Sequence, residues 1–197
     1  MATVADDNKV RFGLSGLHYA VISEVSSTGT PTYGAWKSLP LAVSLSTDLQ
    51  SQKAVQYADD IAIYSTSSTT SISITLEVSR LSDDFKKDVL GWVEGNGGEL
   101  IEPIGAITKK IALGVEFKGD SKKVRHVFFM CSIEDNDEGN GSTNTDNVSF
   151  ANETITLTAL PVPIGSDYFV KEKVVEGSTN YATLFEGTFT LPTKKAS

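Results

Sequence analysis

Between residues 71 and 79 apolar and polar side chains take strict turns: Ile72, Ile74, Leu76 and Val78 alternate with Ser73, Thr75 and Glu77. Successive side chains on a strand point to opposite faces, so this run predicts a β-strand with one oily and one wet face. Its wet face would carry Ser71, Ser73, Thr75, Glu77 and Ser79. The same period returns in Ile111, Leu113, Val115 and Phe117, and again in Ile155 and Leu157, which threonines separate. Residues 124–133 are apolar at nearly every position, the pattern of a strand covered by protein on both faces. The turn Lys118-Gly119-Asp120-Ser121 would join it to the strand before. Shorter strand candidates lie at 18–23, 41–46, 61–64, 168–175 and 182–190. Many short strands broken by Gly, Ser and Thr predict a sandwich or barrel.

One segment follows a helical period instead. Ser82 can cap it, Asp83 and Asp84 sit where acidic groups favour the helix dipole, and Phe85, Val89 and Trp92 share a face. Gly91 or Gly95 would end it after two to three turns, so its apolar face must dock on the sheet. Two stretches read as long loops: 47–60, polar with a weak strand pattern at 54–58, and 134–149, almost wholly Gly, Asn, Ser, Thr and acid. The 197 residues fit one domain able to bury about 70% of its unfolded surface. It would have an N-terminal arm over about 1–15, the extended loop 47–60 and a C-terminal segment from about 162 to 197.

The net charge of −8 gives no broad attraction for nucleic acid or an anionic membrane. Lysines come in scattered pairs, Lys86-Lys87, Lys109-Lys110, Lys122-Lys123 and Lys194-Lys195, which read as solvated faces. The longest apolar run, 127–131, is far short of the ~20 residues that span a bilayer. The first seven residues have neither the basic cluster nor the apolar run of a secretory signal. A lone cysteine, Cys131, forms no internal disulfide and no thiolate zinc cage.

No reaction centre emerges. There are two histidines, His18 and His126, and His126 lies five residues from Cys131, an odd spacing that puts the pair on opposite faces of a strand. Asn136, Glu138, Asn140 and Gly141 imitate a calcium loop, but position twelve is Asn147 rather than a bidentate Glu. Asp59-Asp60 has no acid or base partner near it in sequence, and Gly95-Asn96-Gly97-Gly98 lacks the Lys-Ser/Thr tail of a phosphate cradle. No catalytic residue, metal or cofactor is expected.

The chain resembles the major tail proteins of siphophages infecting Gram-positive bacteria. The resemblance is carried by Asn8-Lys9-Val10-Arg11-Phe12-Gly13-Leu14, His18-Tyr19-Ala20, Ala42-Val43-Ser44-Leu45 and Tyr57-Ala58-Asp59-Asp60-Ile61. It continues through Asp83-Asp84-Phe85-Lys86-Lys87-Asp88-Val89-Leu90-Gly91, Ile111-Ala112-Leu113-Gly114-Val115-Glu116-Phe117-Lys118-Gly119-Asp120, Val124-Arg125-His126-Val127 and Thr154-Ile155-Thr156-Leu157-Thr158-Ala159. These blocks stand in the expected order.

The resemblance implies an all-β fold, a β-sandwich or open barrel flanked by one short helix, whose strands join those of other copies in a ring-shaped inner barrel. It implies a structural virion protein, assembled in the host cytoplasm into hexameric rings that stack as a tail tube for the genome. Tape-measure and tail terminator or baseplate proteins would be partners, with DNA only in transit. On that basis the wet face of 71–79 is expected to line the lumen. The 47–60 loop, too poor in apolar area to order itself, would reach a neighbouring ring through Tyr57, Asp59 and Asp60. A second reading, a sugar- or receptor-binding β-sandwich, would use Tyr33, Trp36 and Tyr64 as stacking aromatics.

Overall fold

A computed structural model describes residues 5–58, 60–137 and 151–195. Five long strands carry the fold: β1 (Arg11–Val25), β4 (Ala42–Ala58), β5 (Ile61–Val78), β8 (Ile111–Gly119) and β9 (Val124–Asp137). Shorter ones are β2 (Pro31–Tyr33), β3 (Lys37–Ser38), β6 (Val93–Glu94), β7 (Leu100–Ile101), β10 (Glu153–Leu160), β11 (Val162–Ile164), β12 (Asp167–Phe169) and β13 (Lys171–Val175). The main sheet runs β2-β1-β8-β9-β10-β5-β4, with β3 also on β1 and β13 also on β9. It is mostly antiparallel meander, and it stays open. Residues 37–41 bridge its two ends, where Leu39 N–H donates to Leu17 O (2.8 Å) and Ser79 N–H to Leu41 O (2.9 Å). The result is an open, sandwich-like all-β fold, as the alternation implied.

Alternation dictates which face is dry. Ile72, Ile74, Leu76 and Val78 of β5 join Ile155, Leu157 and Ala159 of β10, Ile111, Leu113 and Val115 of β8, and Leu17 and Tyr19 of β1 in one core. A second core on the other side of the sheet holds Ala20, Ile22, Ala112, Val127, Phe129 and Met130. Strands β1, β8 and β9 are therefore covered on both faces, which is why 124–133 reads as a continuous apolar run.

The helix caps the first core. Phe85 N–H donates to Ser82 Oγ (3.3 Å), α1 spans Asp83–Phe85, and the coil widens to a π-turn over Lys86–Leu90 before Gly91 ends it at φ 78°. Phe85 and Val89 are buried as the period required, but Trp92 lies beyond the helix, half-buried over the Lys86 ammonium at 4.8 Å. Lys86 is itself buried and ion-paired with Glu153 at 3.9 Å, so the Lys86-Lys87 pair is not a solvated face.

Three further expectations change. The segment 47–60 is not a loop: up to Ala58 it is strand, hydrogen-bonded to β5 from Ala42↔Val78 to Ala58↔Ile61. Its dry-side alternation is absent because the outer half of this hairpin has little protein on either face. The candidates 61–64 and 71–79 fall on one strand, β5, which ends at Val78. And 182–190 forms turns, with a single bridge Ala35↔Thr188. Leu184, Phe185 and Phe189 insert separately into the second core instead of alternating. Gly114 of β8 is required there, since a Cβ would collide with the Phe185 ring.

Glu172 on β13 lies beneath the chain at 189–193. Among the described residues its carboxyl makes no hydrogen bond or ion pair, and burial pushes it from the ordinary 4.5 up to about 7. Between those values the folded chain holds more protons than the unfolded one, so stability falls as pH rises through this window and the penalty is complete above it. Glu172→Gln should therefore stabilise the fold by about 1 to 3 kcal/mol at pH 8 and leave it unchanged at pH 4. Urea midpoints of parent and variant that stay equal at both pH values would contradict this.

Candidate functional site

Register assembles a surface larger than the strand read from sequence. Across β4, β5, β10 and β9 the wet rungs are Asp48-Ser73-Thr158-Ser132, Ser46-Thr75-Thr156-Asp135 and Ser44-Glu77-Thr154, with Gln50-Ser71 continuing along β4 and β5. Every one is a hydroxyl, an amide or a carboxylate. No lysine or arginine occupies these rungs. The dry rungs beneath, Leu45-Leu76-Ile155 and Thr47-Ile74-Leu157-Ile133, hold the sheet on its core. Of the expected residues, Ser71, Ser73, Thr75 and Glu77 lie on this face, whereas Ser79 falls just past the end of β5.

Hydrogen bonds favour the charged form of Glu77. Glu77 accepts hydrogen bonds from Asn152 (2.8 Å) and Ser44 (2.9 Å), which hold its carboxyl below the usual range. Glu134, in a bulge of β9, accepts from the Thr158 hydroxyl. Hydroxyls thus point at carboxylates, and the face presents negative charge with no cation to hold a phosphate. The contributions of β4 and β10 were legible in sequence as Ser44-x-Ser46-x-Asp48 and Thr154-x-Thr156-x-Thr158. Only the pairing shows that they are neighbours.

The second feature is the outer half of the β4–β5 hairpin. From Ser51↔Thr69 outward it leaves the body, and Ile61, Ile63 and Tyr64 are each more than half exposed. The outer edge of β4, 17 residues long, pairs with no described strand. Such an edge is a template for pairing with another chain. Tyr57 stands opposite Ala62 near the tip, and Asp60 has φ 62°, a left-handed turn conformation. Asp59 lies outside the described residues.

Features read as chemistry resolve differently. The β8–β9 bulge between Ile111↔Cys131 and Leu113↔Phe128 reverses the alternation, so His126 and Cys131 share a face instead of opposing. Their β8 partners, Val115 and Ile111, are four residues apart, about 13 Å along a strand. Burial lowers the His126 imidazole to about 4 and raises the Cys131 thiol. Neither suits a nucleophile and base pair. Gly95-Asn96-Gly97-Gly98 turns the β6–β7 hairpin, with Gly95 N–H donating to Glu99 O (2.8 Å). Glu138, Asn140, Gly141 and Asn147 of the calcium-like loop lie outside the described residues, as does most of 134–149. The aromatics of the sugar-binding reading do not share a surface: Tyr33 is buried against Phe189, Trp36 is half-buried between Phe185 and Phe189, and Tyr64 is out on the hairpin.

The fold thus displays two surfaces, a wet polar face and a strand edge that pairs with no described strand. A comparison with curated proteins found no relative. Residues 4–189 match the family described as phage tail tube protein, so that nearly the whole length is covered and the chain belongs to that family, whose members are structural, non-enzymatic proteins that self-assemble into the tube of the virion's tail.

Proposed function

We propose that this chain forms hexameric rings that stack into the tail tube of a siphophage of Gram-positive bacteria, and that the genome passes through the tube into the host. The wet face of β4, β5, β10 and β9 lines the lumen, with Ser71, Ser73, Thr75 and Glu77 at its centre. Ser79 stands at its rim. Assembly takes place in the host cytoplasm, with tape-measure and terminator or baseplate proteins at the ends of the tube.

What supports this most is that the adjacent rungs Asp48-Ser73-Thr158-Ser132, Ser46-Thr75-Thr156-Asp135 and Ser44-Glu77-Thr154 carry only hydroxyls and carboxylates. DNA must slide without sticking, and each lysine–phosphate contact would add binding and a salt-dependent drag. A wall of Asp48, Glu77 and Asp135 repels the backbone, while serines and threonines keep it wet.

The outer half of the β4–β5 hairpin reaches the next ring, with Tyr57, Asp59 and Asp60 at the contact. Tyrosine brings large area at small rotamer cost, and the aspartates take lysine or arginine partners across the junction. Excising 51–68 and closing β4 onto β5 with Asn-Gly removes the contact without touching either core. The shortened chain should match the parent's urea midpoint yet form no tubes in negative-stain images of concentrated protein. Tubes of normal length from it would sink the inter-ring role. A reconstruction of the parent tube with Ser73 and Thr75 facing outward would sink the lumen assignment.

A further inference from the structure

The excursion between the helix and β8 carries the most exposed apolar side chains of the described residues. Ile104 and Ile107 are 106% and 90% exposed, and Val93 and Ile101 beside them about half exposed. This is an ordered loop. Ala106 N–H donates to Pro103 O (3.3 Å) across a turn whose Gly105 has φ 74°, and Lys109 N–H donates to Val89 O (2.9 Å) on the helix. Ala106 packs so closely that a Cβ on Gly91 would stand 3.3 Å from it. The base is anchored and two isoleucines are held out into water, an arrangement a lone subunit gains nothing from. Glu99 and Glu102 flank them, exposed and with no ion-pair partner among the described residues.

On the other side of the sheet lies a pocket of about 160 Å³ walled by Phe129, Ile164, Phe169 and Pro192. A cavity of ~150 Å³ with apolar walls accepts benzene, so one branched aliphatic side chain fits here. Its rim is basic: Lys171 has no ion-pair partner among the described residues, and Lys194 pairs only with Asp167 at the surface.

We propose that the loop Pro103–Thr108 of one copy docks in this pocket of a second copy, Ile104 or Ile107 entering between Phe169 and Pro192 while Glu102 meets Lys171. The occupant is chosen by complementarity of both kinds, apolar knob to apolar pocket and acidic flank to basic rim. Knob and pocket stand on opposite sides of one sheet, the knob tied to the helix over the first core and the pocket opening on the second. A chain cannot fill its own pocket, and a head-to-tail contact of two unlike patches generates a ring when its rotation closes. The half-buried Glu172 carboxyl that lines the pocket, neutral below about 7, does not oppose an apolar guest. The contact rests on the ring assembly proposed above and names the two patches that make it.

The test uses the full chain with Ile104→Cys and Thr193→Cys together, oxidised at high concentration; Cys131 is wholly buried and takes no part. A ladder of disulfide-linked multimers is expected, because each copy then carries both halves of the contact. Either single variant can give no more than a dimer. In parallel, Ile104→Asp/Ile107→Asp should keep the parent's urea midpoint, since both side chains are exposed, but need about tenfold or more protein to assemble. Tubes of the aspartate variant at the parent's concentration would overturn the contact, as would a double-cysteine chain that runs only as monomers and dimers. If the parent itself makes neither rings nor tubes, the ring assembly fails, and the ladder still decides whether knob meets pocket in solution.

Discussion

Replacing Arg125 by alanine is expected to cost about 3 to 5 kcal/mol of folding stability, because it strands a buried carboxylate. Glu116 on β8 is 9% exposed at its side chain and receives Arg125 Nε on β9 at 2.8 Å, Tyr181 Oη at 3.0 Å and Ser15 Oγ at 3.0 Å. Burial alone would raise its carboxyl, but the hydrogen bonds from Arg125, Tyr181 and Ser15 overcome that and bring it to about 2. The guanidinium also donates to the Tyr181 carbonyl and stacks on Tyr181 and Phe185 at 4.1 and 4.7 Å. One side chain thus ties β8, β9 and the C-terminal turns together. Lys123, 3.4 Å from Glu116 but about half exposed, replaces little of this.

The sign with pH follows. A carboxyl lowered from 4.5 to about 2 contributes stability that is fully present above 4.5 and lost as pH falls through 2. The deficit of Arg125→Ala should be largest near neutral pH and shrink below 4.5, because there Glu116 of the variant takes up a proton and is no longer a stranded charge, while the folded parent keeps it ionised down to about 2 and loses stability as its unfolded chain is protonated. Glu116→Gln/Arg125→Met, which removes both charges, should cost less than Arg125→Ala alone. Chemical denaturation of the three variants at pH 3 and pH 7 checks this. A double variant at least as unstable as Arg125→Ala would mean that the stacking of Arg125, rather than its charge, holds the segment.

How much of this was legible in the chain depends on what each residue reports to. Residues 71–79 and 111–117 face a core on one side and water or a second layer on the other, so their period survives in sequence. The outer half of β4 faces no layer of its own chain, so its alternation has nothing to record and it reads as a polar loop. The strand there is specified by its pairing with β5 across the hairpin. Leu184, Phe185 and Phe189 failed in the opposite way. They are apolar enough for a strand, but each fills a separate niche on the second core, and Gly187 at φ 64° breaks the run. The misplaced His126–Cys131 relation came from a single bulge, which no local pattern announces. The wet face needed pairing information: β5 was found, but that β4 and β10 flank it is a long-range fact.

Phe85→Ala is the second large effect, about 3 to 5 kcal/mol. The ring is wholly buried and meets Tyr19 edge-on at 4.9 Å and 80°. Tyr19 in turn donates its hydroxyl to Asp88 (3.1 Å) on the π-turn, so the same small region loses apolar volume and the support of a cross-element hydrogen bond. A helix this short has no stability apart from its docking. The cavity cannot be refilled cheaply, because Leu81, Val89 and Leu90 around it are already packed in the first core. Trp92→Ala should cost much less, about 1 kcal/mol, since that ring is half-buried and contributes mainly its contact with Lys86. Phe85→Leu should recover more than half of the loss, as it restores most of the missing volume. Assembly separates folding from interface. The helix holds the loop at 103–108 through Lys109 N–H and Val89 O, yet Phe85 is far from any surface. Phe85→Ala should therefore regain tubes when an excluded osmolyte restores its fold, whereas the hairpin-shortened chain should not. Equal urea midpoints for Phe85→Ala and the parent would mean that the helix is not docked through this ring.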